Sequence, residues 1–302
     1  MGVHGSEAGG QCPVVQSVNV SSSRAPIGVF DSGVGGLSVL RALQAELPHE
    51  RFVYLADTGH APYGERGDAF VAGRALAIAG WLRARHGIKA LVVACNTATA
   101  AAIARLRQQH PGLIVVGVEP ALKPAVAVTR TGRIGVFATR GTLASGKFAR
   151  LLQSLQGQAD FALQPCDGLA DAIERAAAEP ASGGVWTIKM KALCARYIGA
   201  TGPFGAQGGQ IDTLVLGCTH YVFAQDVLRN LVGPGVQLVE TGAPVARHTR
   251  RLLQRADGLA PGGGASALQL FSTGDSQALQ AAAARWLHAP AGPAQAIEVP
   301  MA

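Results

Sequence analysis

Charge is thinly spread in this sequence. Asp, Glu, Lys and Arg together make up 15% of the 302 residues and aromatics only 5%. The bases outnumber the acids, to a formal net charge of +7, but they never stand four in a row and no aromatics interleave with them. That excludes the stacked, basic grooves of single-strand binders, and a nucleic-acid partner is not expected. The surplus reads as a solvated surface with a weak pull on acidic ligands. Cysteine is also scarce, an odd five at Cys12, Cys95, Cys166, Cys194 and Cys218, with no CxxC pair and no histidine cluster at ligand spacing. A disulfide scaffold and a zinc site are thereby excluded. Residues 1–25 lack the apolar core of a signal peptide, and no later stretch is apolar for as long as a membrane span requires. The expectation is a soluble, cytoplasmic protein with reduced thiols and no membrane partner.

What is present is a chain 48% hydrophobic with 39 glycines, the composition of a globular protein rich in tight turns. Its length suits two domains or one large one. Runs of Val, Ile and Leu at 27–30, 52–55, 90–94, 114–118, 133–137, 213–216, 237–239 and 268–271 alternate with Ala-rich amphipathic stretches. This pattern predicts an α/β fold with largely parallel strands joined by helices. Residues 1–24 and 289–302 offer no periodic apolar positions and are expected to be tails.

The chain also echoes itself. Ile27-Gly28-Val29-Phe30 returns as Ile134-Gly135-Val136-Phe137, and Leu91-Val92-Val93-Ala94-Cys95-Asn96-Thr97 returns as Leu214-Val215-Leu216-Gly217-Cys218-Thr219-His220. The second interval is longer, and the Gly-rich stretch at 202–210 is a natural place for part of the surplus. Matched elements in the same order predict two similar, pseudo-symmetric halves.

Cys95 and Cys218 each close an apolar strand where small polar residues begin. The C-terminal edge of a parallel sheet is where ligands bind, and helix N-terminal amides there favour a thiolate, so both thiols are expected to shift towards neutrality. If the halves face each other, the sulfurs reach a ligand from opposite sides. Inverting a stereocentre needs a base on one face and an acid on the other. Cys12, Cys166 and Cys194 lack that symmetry and read as buried small hydrophobes. Asp31, at the end of the first strand, and His220, two residues after Cys218, are either helpers of the thiols or, respectively, a turn residue and a structural histidine. Ser32, Thr58, Tyr63, Asn96, Thr97, Thr139, Thr142 and Thr219 fall at strand ends and turns, where they either bind carboxylates and an ammonium or cap helices. Gly33-Val34-Gly35-Gly36 completes neither phosphate-loop motif, so a nucleotide is not expected.

Four stretches, Phe30-Asp31-Ser32-Gly33-Val34-Gly35-Gly36-Leu37, Ala56-Asp57 through Pro62-Tyr63-Gly64, Ala94-Cys95-Asn96-Thr97-Ala98 and Gly217-Cys218-Thr219-His220-Tyr221, resemble in order the signature motifs of the aspartate/glutamate racemase family, the bacterial glutamate racemases in particular. The resemblance spans about 26–288. It implies two pseudo-symmetric domains, 25–119 with 241–288 and 120–240, with the active site in the cleft between them. It further implies racemisation of glutamate without cofactor, supplying D-glutamate for peptidoglycan, with Cys95 acting on the D- and Cys218 on the L-enantiomer. By the same resemblance Asp31 assists Cys95, and His220 assists Cys218. Glu174, eight residues after Cys166, fits the spacing of a catalytic glutamate. Substrate contacts carried over are Asp31, Ser32, Tyr63, Gly64, Asn96, Thr97, Thr219 and His220, with Thr139 and Thr142. Val222 stands where proline is usual, Glu240-Thr241-Gly242 where Asp-Ser-Gly is common, and the region around 182–210 is enlarged. Alternatives are a racemase of aspartate or another acidic amino acid and a non-catalytic amino-acid-binding protein. A homodimer is a partner state the sequence leaves open.

Overall fold

The computed structural model describes residues 23–180, 183–263, 266–287 and 292–301. Two all-parallel sheets organise them. The first has six strands in the order β10-β9-β2-β1-β3-β4, from β1 (Ile27–Asp31), β2 (Phe52–Ala56), β3 (Ala90–Val93), β4 (Ile114–Gly117), β9 (Leu268–Ser272) and β10 (Gln295–Ala296). The second has four in the order β6-β5-β7-β8, from β5 (Arg133–Ala138), β6 (Asp160–Pro165), β7 (Thr213–Leu216) and β8 (Gln237–Val239). The fold is α/β, as expected.

The internal echo extends to register. The order β2-β1-β3-β4 is repeated by β6-β5-β7-β8. Gly28 pairs with Leu91 as Gly135 pairs with Leu214, and Phe30 pairs with Val93 as Phe137 pairs with Leu216. In both sheets the chain leaves the first strand of the repeat for a neighbour on one side and returns to the other. That reversal opens a crevice beyond the strand ends.

Helices cover both faces of the first sheet, which explains why its central strands β1, β2 and β3 are buried throughout and read as apolar runs. On one face pack α1 (Leu37–Glu46), α10 (Gly242–Arg255) and α11 (Ser276–Trp286), through Leu40, Leu43, Val245, Leu253 and Leu279. On the other lie α2 (Asp68–His86) and α3 (Asn96–Gln109), through Val71, Ile78, Leu82 and Leu106. Gly87 ends α2 in the left-handed conformation, φ 57°, which glycine adopts without strain. In the second sheet β5 carries α4 (Leu122–Val128) before it and α5 (Arg140–Ala144) and α6 (Gly146–Gln153) after it; α7 (Leu169–Ala177), α8 (Val185–Thr201) and α9 (Gln225–Val232) complete the unit. Phe223 stacks flat on Trp286, ring centroids 3.6 Å apart, joining the turn after Cys218 to α11.

Two strands are not legible as apolar runs. β6 is an edge strand with a half-exposed sequence, and β10 is only two residues long. The second corrects the expected C-terminal tail: residues 292–301 are ordered against the sheet, with Gln295 paired to Phe271 and Val299 only 4% exposed. A single buried valine and a two-residue bridge leave no periodicity to read. The tail expected at 1–24, except residues 23 and 24, lies outside the described residues, as does Cys12.

Candidate active site

Both repeats deliver a cysteine to the same place. Cys95 follows β3 and serves as N-cap of α3, its sulfur accepting from the Ala98 amide at 3.4 Å. Cys218 follows β7 and precedes a 3-10 turn at Thr219–Ala224. Both line one cavity of about 270 Å3, room for a single amino acid.

The first half supplies Asp31 and Ser32. Cys95 Sγ points at Ser32 Oγ at 3.8 Å, and Ser32 donates to Asp31 Oδ1 at 3.1 Å. Asp31 is fully buried and does not line the cavity; it reaches the thiol through Ser32. Its carboxylate also accepts from the Gly33 amide at 2.9 Å and from Thr219 at 2.8 Å. Burial raises the Asp31 carboxyl above its ordinary value, against the pull of His220 and Thr219.

The second half supplies His220 and Glu174. His220 Nδ1 faces Cys218 Sγ at 3.8 Å, and Nε2 meets Glu174 Oε2 at 2.5 Å. Glu174 also accepts from the Val34 amide at 2.9 and 3.1 Å, which ties it to the glycine turn of the other half. Burial works against a charged His220, but its hydrogen bonds to Cys218 and Glu174 outweigh burial and hold it well above its ordinary value. The glycines of that turn are explained by clearance. A Cβ on Gly33 would strike the Glu174 carboxylate and one on Gly35 the His220 ring.

The expected shift of both thiols towards neutrality is not found at Cys95. Burial, reinforced by the Asp31 charge, pushes its thiol up to about 12, and the Ala98 amide only partly opposes this. The helix N-terminus contributes, but desolvation of a buried sulfur is the larger effect.

The remaining sequence candidates divide clearly. Ser32, Thr58, Tyr63, Gly64, Asn96, Thr97, Thr139, Glu174, Thr219 and His220 all line the cavity. Thr142 does not; it sits behind the wall, accepting from Thr139 at 2.9 Å, and Thr139 in turn is 3.2 Å from Thr97. Asn96 is the most pointed of these. It is 5% exposed, and among the described residues nothing partners its side-chain oxygen or nitrogen. A buried amide left open in a cavity wall is suited to a ligand's polar groups.

Several lining residues carry no sequence signal. Cys166 lines the cavity although its sequence context is that of an inert hydrophobe; burial does push its thiol up, consistent with a neutral group. At the rim Arg140 pairs with Asp167 at 2.5 Å and Arg175 with Asp171 at 2.9 Å, all four lining the opening. Asp171 and Arg175 have the i,i+4 spacing of an ordinary helical ion pair, and nothing in the sequence places any of the four at a cavity.

Residues 27–249 match the family model described as Asp/Glu/Hydantoin racemase. The chain therefore belongs to the Asp/Glu/Hydantoin racemase family, and it is an amino-acid racemase. Within that class it is 48% identical over 262 residues to a glutamate racemase of Ectopseudomonas mendocina, covering 87% of this chain and 94% of that one. To a glutamate racemase of Ralstonia nicotianae it is 49% identical, covering 88% and 90%. Among solved structures it is similar to a glutamate racemase isoform of Bacillus anthracis, with TM-score 0.78 and 30% identity over 93% of this chain and 100% of that one. It is similar also to the Escherichia coli glutamate racemase in complex with L-glutamate and the activator UDP-MurNAc-Ala, with TM-score 0.73 and 31% identity over 87% and 95%. Among the described residues no helix is long and apolar enough to cross a membrane.

Proposed function

We propose that the chain interconverts L- and D-glutamate in the cytoplasm, supplying D-glutamate for peptidoglycan, by exchanging the α-proton without a cofactor, one cysteine removing it and the other delivering a different proton to the opposite face. The observation that carries this reading is the pair of thiols, Cys95 and Cys218, at equivalent strand ends of two repeated units and lining one cavity. One thiolate takes the α-proton and becomes a thiol; the opposite thiol gives its proton to the other face of the planar carbanion and becomes a thiolate. The reverse reaction restores the starting protonation states. Cys218 removes the proton of L-glutamate and Cys95 that of D-glutamate.

The surroundings support that division. Cys95, held as a neutral thiol by burial beside Asp31, is ready to donate when L-glutamate enters. His220, held charged by Cys218 and Glu174, stands where the proton handled by Cys218 can be stabilised. Asn96, Thr97, Thr139 and Thr219 offer donors and acceptors for the two carboxylates and the ammonium. The 48% identity to a glutamate racemase favours glutamate over aspartate.

The test is incubation with L-glutamate and, separately, L-aspartate in deuterated water, following loss of optical activity and α-deuterium incorporation. Racemisation with deuterium uptake from glutamate is the expected result. Absence of both sinks the reading, and preference for aspartate corrects the substrate.

A further inference from the structure

The ordered C-terminal segment ends on a buried cation. Arg74 of α2 is 1% exposed and donates through Nη1 to the Val299 carbonyl at 2.5 Å. Its other donors form a two-point pair with Asp57, Nη2 to Oδ1 at 2.7 Å and Nε to Oδ2 at 3.0 Å. Asp57, itself fully buried, then accepts the Tyr63 hydroxyl at 2.5 Å, with Thr273 at 2.8 Å and His60 at 3.1 Å. Tyr63 lines the cavity, as do Pro62, Gly64 and Glu65 around it. Gly64 in turn lies against Thr139 of the other half, where an added Cβ would stand 3.1 Å from the Thr139 Cβ. An unbroken set of hydrogen bonds thus runs from the last residues of the chain to the cavity wall.

Each part of this set depends on the next. A buried guanidinium is tolerated only when it is paired, and its planar fork matches a carboxylate at two points through Nε and Nη2, which leaves the third nitrogen, Nη1, for another partner. Here that third partner is the Val299 carbonyl. Asp57 keeps its charge for the same reason: burial would raise its carboxyl, but the hydrogen bonds from Arg74, Tyr63 and Thr273 hold it below the ordinary value. A charged Asp57 is what fixes the Tyr63 hydroxyl, and with it the path of residues 58–65. The anchor of the C-terminal segment is itself packed, with Ile297 and Val299 against the apolar cluster beneath α2 and Met301 lying over Gly73.

We infer that Asp57 and Arg74 form a positioning pair for the Tyr63 wall of the substrate cavity, and that the C-terminal residues complete this pair through the Val299 carbonyl. The inference rests on the racemase reading of that cavity. Neither residue touches the substrate, and neither moves a proton. Their effect is on how well the wall fits glutamate, so loosening them weakens binding and leaves the thiol chemistry in place.

The test uses the full chain, a chain stopped after Glu298, and Arg74→Lys, which keeps the charge but cannot fork. Racemisation is followed by circular dichroism and thermal unfolding is recorded for each. Activity of the full chain decides the racemase reading on its own, and the ratios between variants decide whether Asp57, Arg74 and the Val299 carbonyl position the Tyr63 wall. The expected result is a KM for glutamate raised about tenfold in both variants with kcat kept within about threefold. The two changes combined should raise KM no further than either alone, because they open one unit. A folded truncated chain with unchanged KM overturns the inference, as does a fall in kcat at constant KM. If the truncated chain does not fold, Arg74→Lys and Asp57→Asn carry the same test, since neither residue lines the cavity and Asn keeps the shape of Asp57 while removing the charge that fixes the Tyr63 hydroxyl.

Discussion

Thr219 donates its hydroxyl to Asp31 at 2.8 Å, across 188 positions of sequence. The residue that follows one thiol is thereby fixed to the carboxylate that reaches the other through Ser32. In the proposed mechanism Asp31 is in consequence more than a helper of Cys95. Its two oxygens hold Ser32 and the Gly33 amide on one side and the Cys218 turn on the other, which keeps the two reactive ends in a constant relation.

Replacing either Cys95 or Cys218 by Ala is expected to abolish racemisation, because inversion needs both an acid and a base; a positioned acid–base group is typically worth about 10²–10⁴-fold. Cys194 is fully buried in the apolar core of the second unit and away from the cavity. Cys194→Ala should therefore cost stability of the order of 1 kcal/mol through the small void it leaves and spare activity. The same is expected of activity in Cys12→Ala. Substantial racemase activity in a folded Cys95→Ala chain contradicts the two-base reading.

Gly35→Ala is a sharper probe of His220 than removal of the histidine itself. The backbone at Gly35 tolerates other residues, but the new methyl would overlap the imidazole. The ring must swing away from Cys218 or from Glu174, and kcat is expected to fall about 10²-fold or more, with a loss of stability of about 1–3 kcal/mol for the overpacked contact, so turnover is compared well below the unfolding transition. Wild-type kcat in this variant means the position of His220 is immaterial to turnover.

Much of this site is legible because it sits on a repeat. Cys95 and Cys218 stand out by matching strand-end positions, and the register of β1 with β3 and β5 with β7 reproduces that match. Glu174 is reached only through its spacing from Cys166, since nothing in its local sequence says that α7 turns it towards His220. The Asp57–Arg74 pair is silent for a similar reason. Their partner is a main-chain carbonyl at Val299, and a carbonyl has no side-chain signature. At Cys95 the electrostatics run against the sequence-based expectation, because sequence shows the helix N-terminus that lowers a thiol but not the burial that raises it.

Alkaline pH should destabilise the folded chain in part through Cys95. Its folded-state value is raised from about 9 to about 12, so the folded state holds the thiol proton more tightly than the unfolded state does. That contribution is complete below about pH 9 and is lost as pH rises from there towards 12. Urea unfolding at pH 7.5, 9 and 10 is expected to show a decline above pH 9 that is shallower in Cys95→Ala. An identical slope in both proteins excludes Cys95 as a source. In the free enzyme at pH 7.5 the same neutral thiol should alkylate slowly with iodoacetamide.

Activity is expected to survive dialysis against EDTA, since the proposed chemistry uses only thiols, the His220–Glu174 pair and Asp31. Among the described residues no group of three His, Cys, Asp or Glu side chains is arranged to hold a metal ion. Loss of racemisation on dialysis, restored by adding back a divalent cation, contradicts the cofactor-free reading.

The two directions of reaction should fail differently when the helpers are changed. Asp31 reaches Cys95 through Ser32, whereas His220 faces Cys218 directly with Glu174 behind it. Asp31→Asn preserves shape but removes the charge that helps hold the Cys95 thiol protonated, so it should mainly alter the half-reaction in which Cys95 takes the proton of D-glutamate. His220→Asn removes the imidazole beside Cys218 and should mainly slow exchange on L-glutamate, by about 10²–10⁴-fold. The equilibrium constant between enantiomers is one, so the ratio of the two overall kcat/KM values cannot change. The asymmetry must therefore be sought in the separate rates of α-proton exchange without inversion and in the deuterium isotope effect for each enantiomer. A further difference comes from the Thr219 hydroxyl. In the native chain one Asp31 oxygen accepts from Thr219 while the other accepts from Ser32 and the Gly33 amide. An amide has a single accepting oxygen, so in Asp31→Asn one of these two sides must face an NH2 group instead. That variant should on this ground also disturb the Cys218 side slightly, whereas His220→Asn should reach Cys95 only indirectly, by removing the positive charge that opposes the rise at Asp31. Equal changes for both enantiomers in both variants mean that Asp31 and His220 act through binding or folding alone.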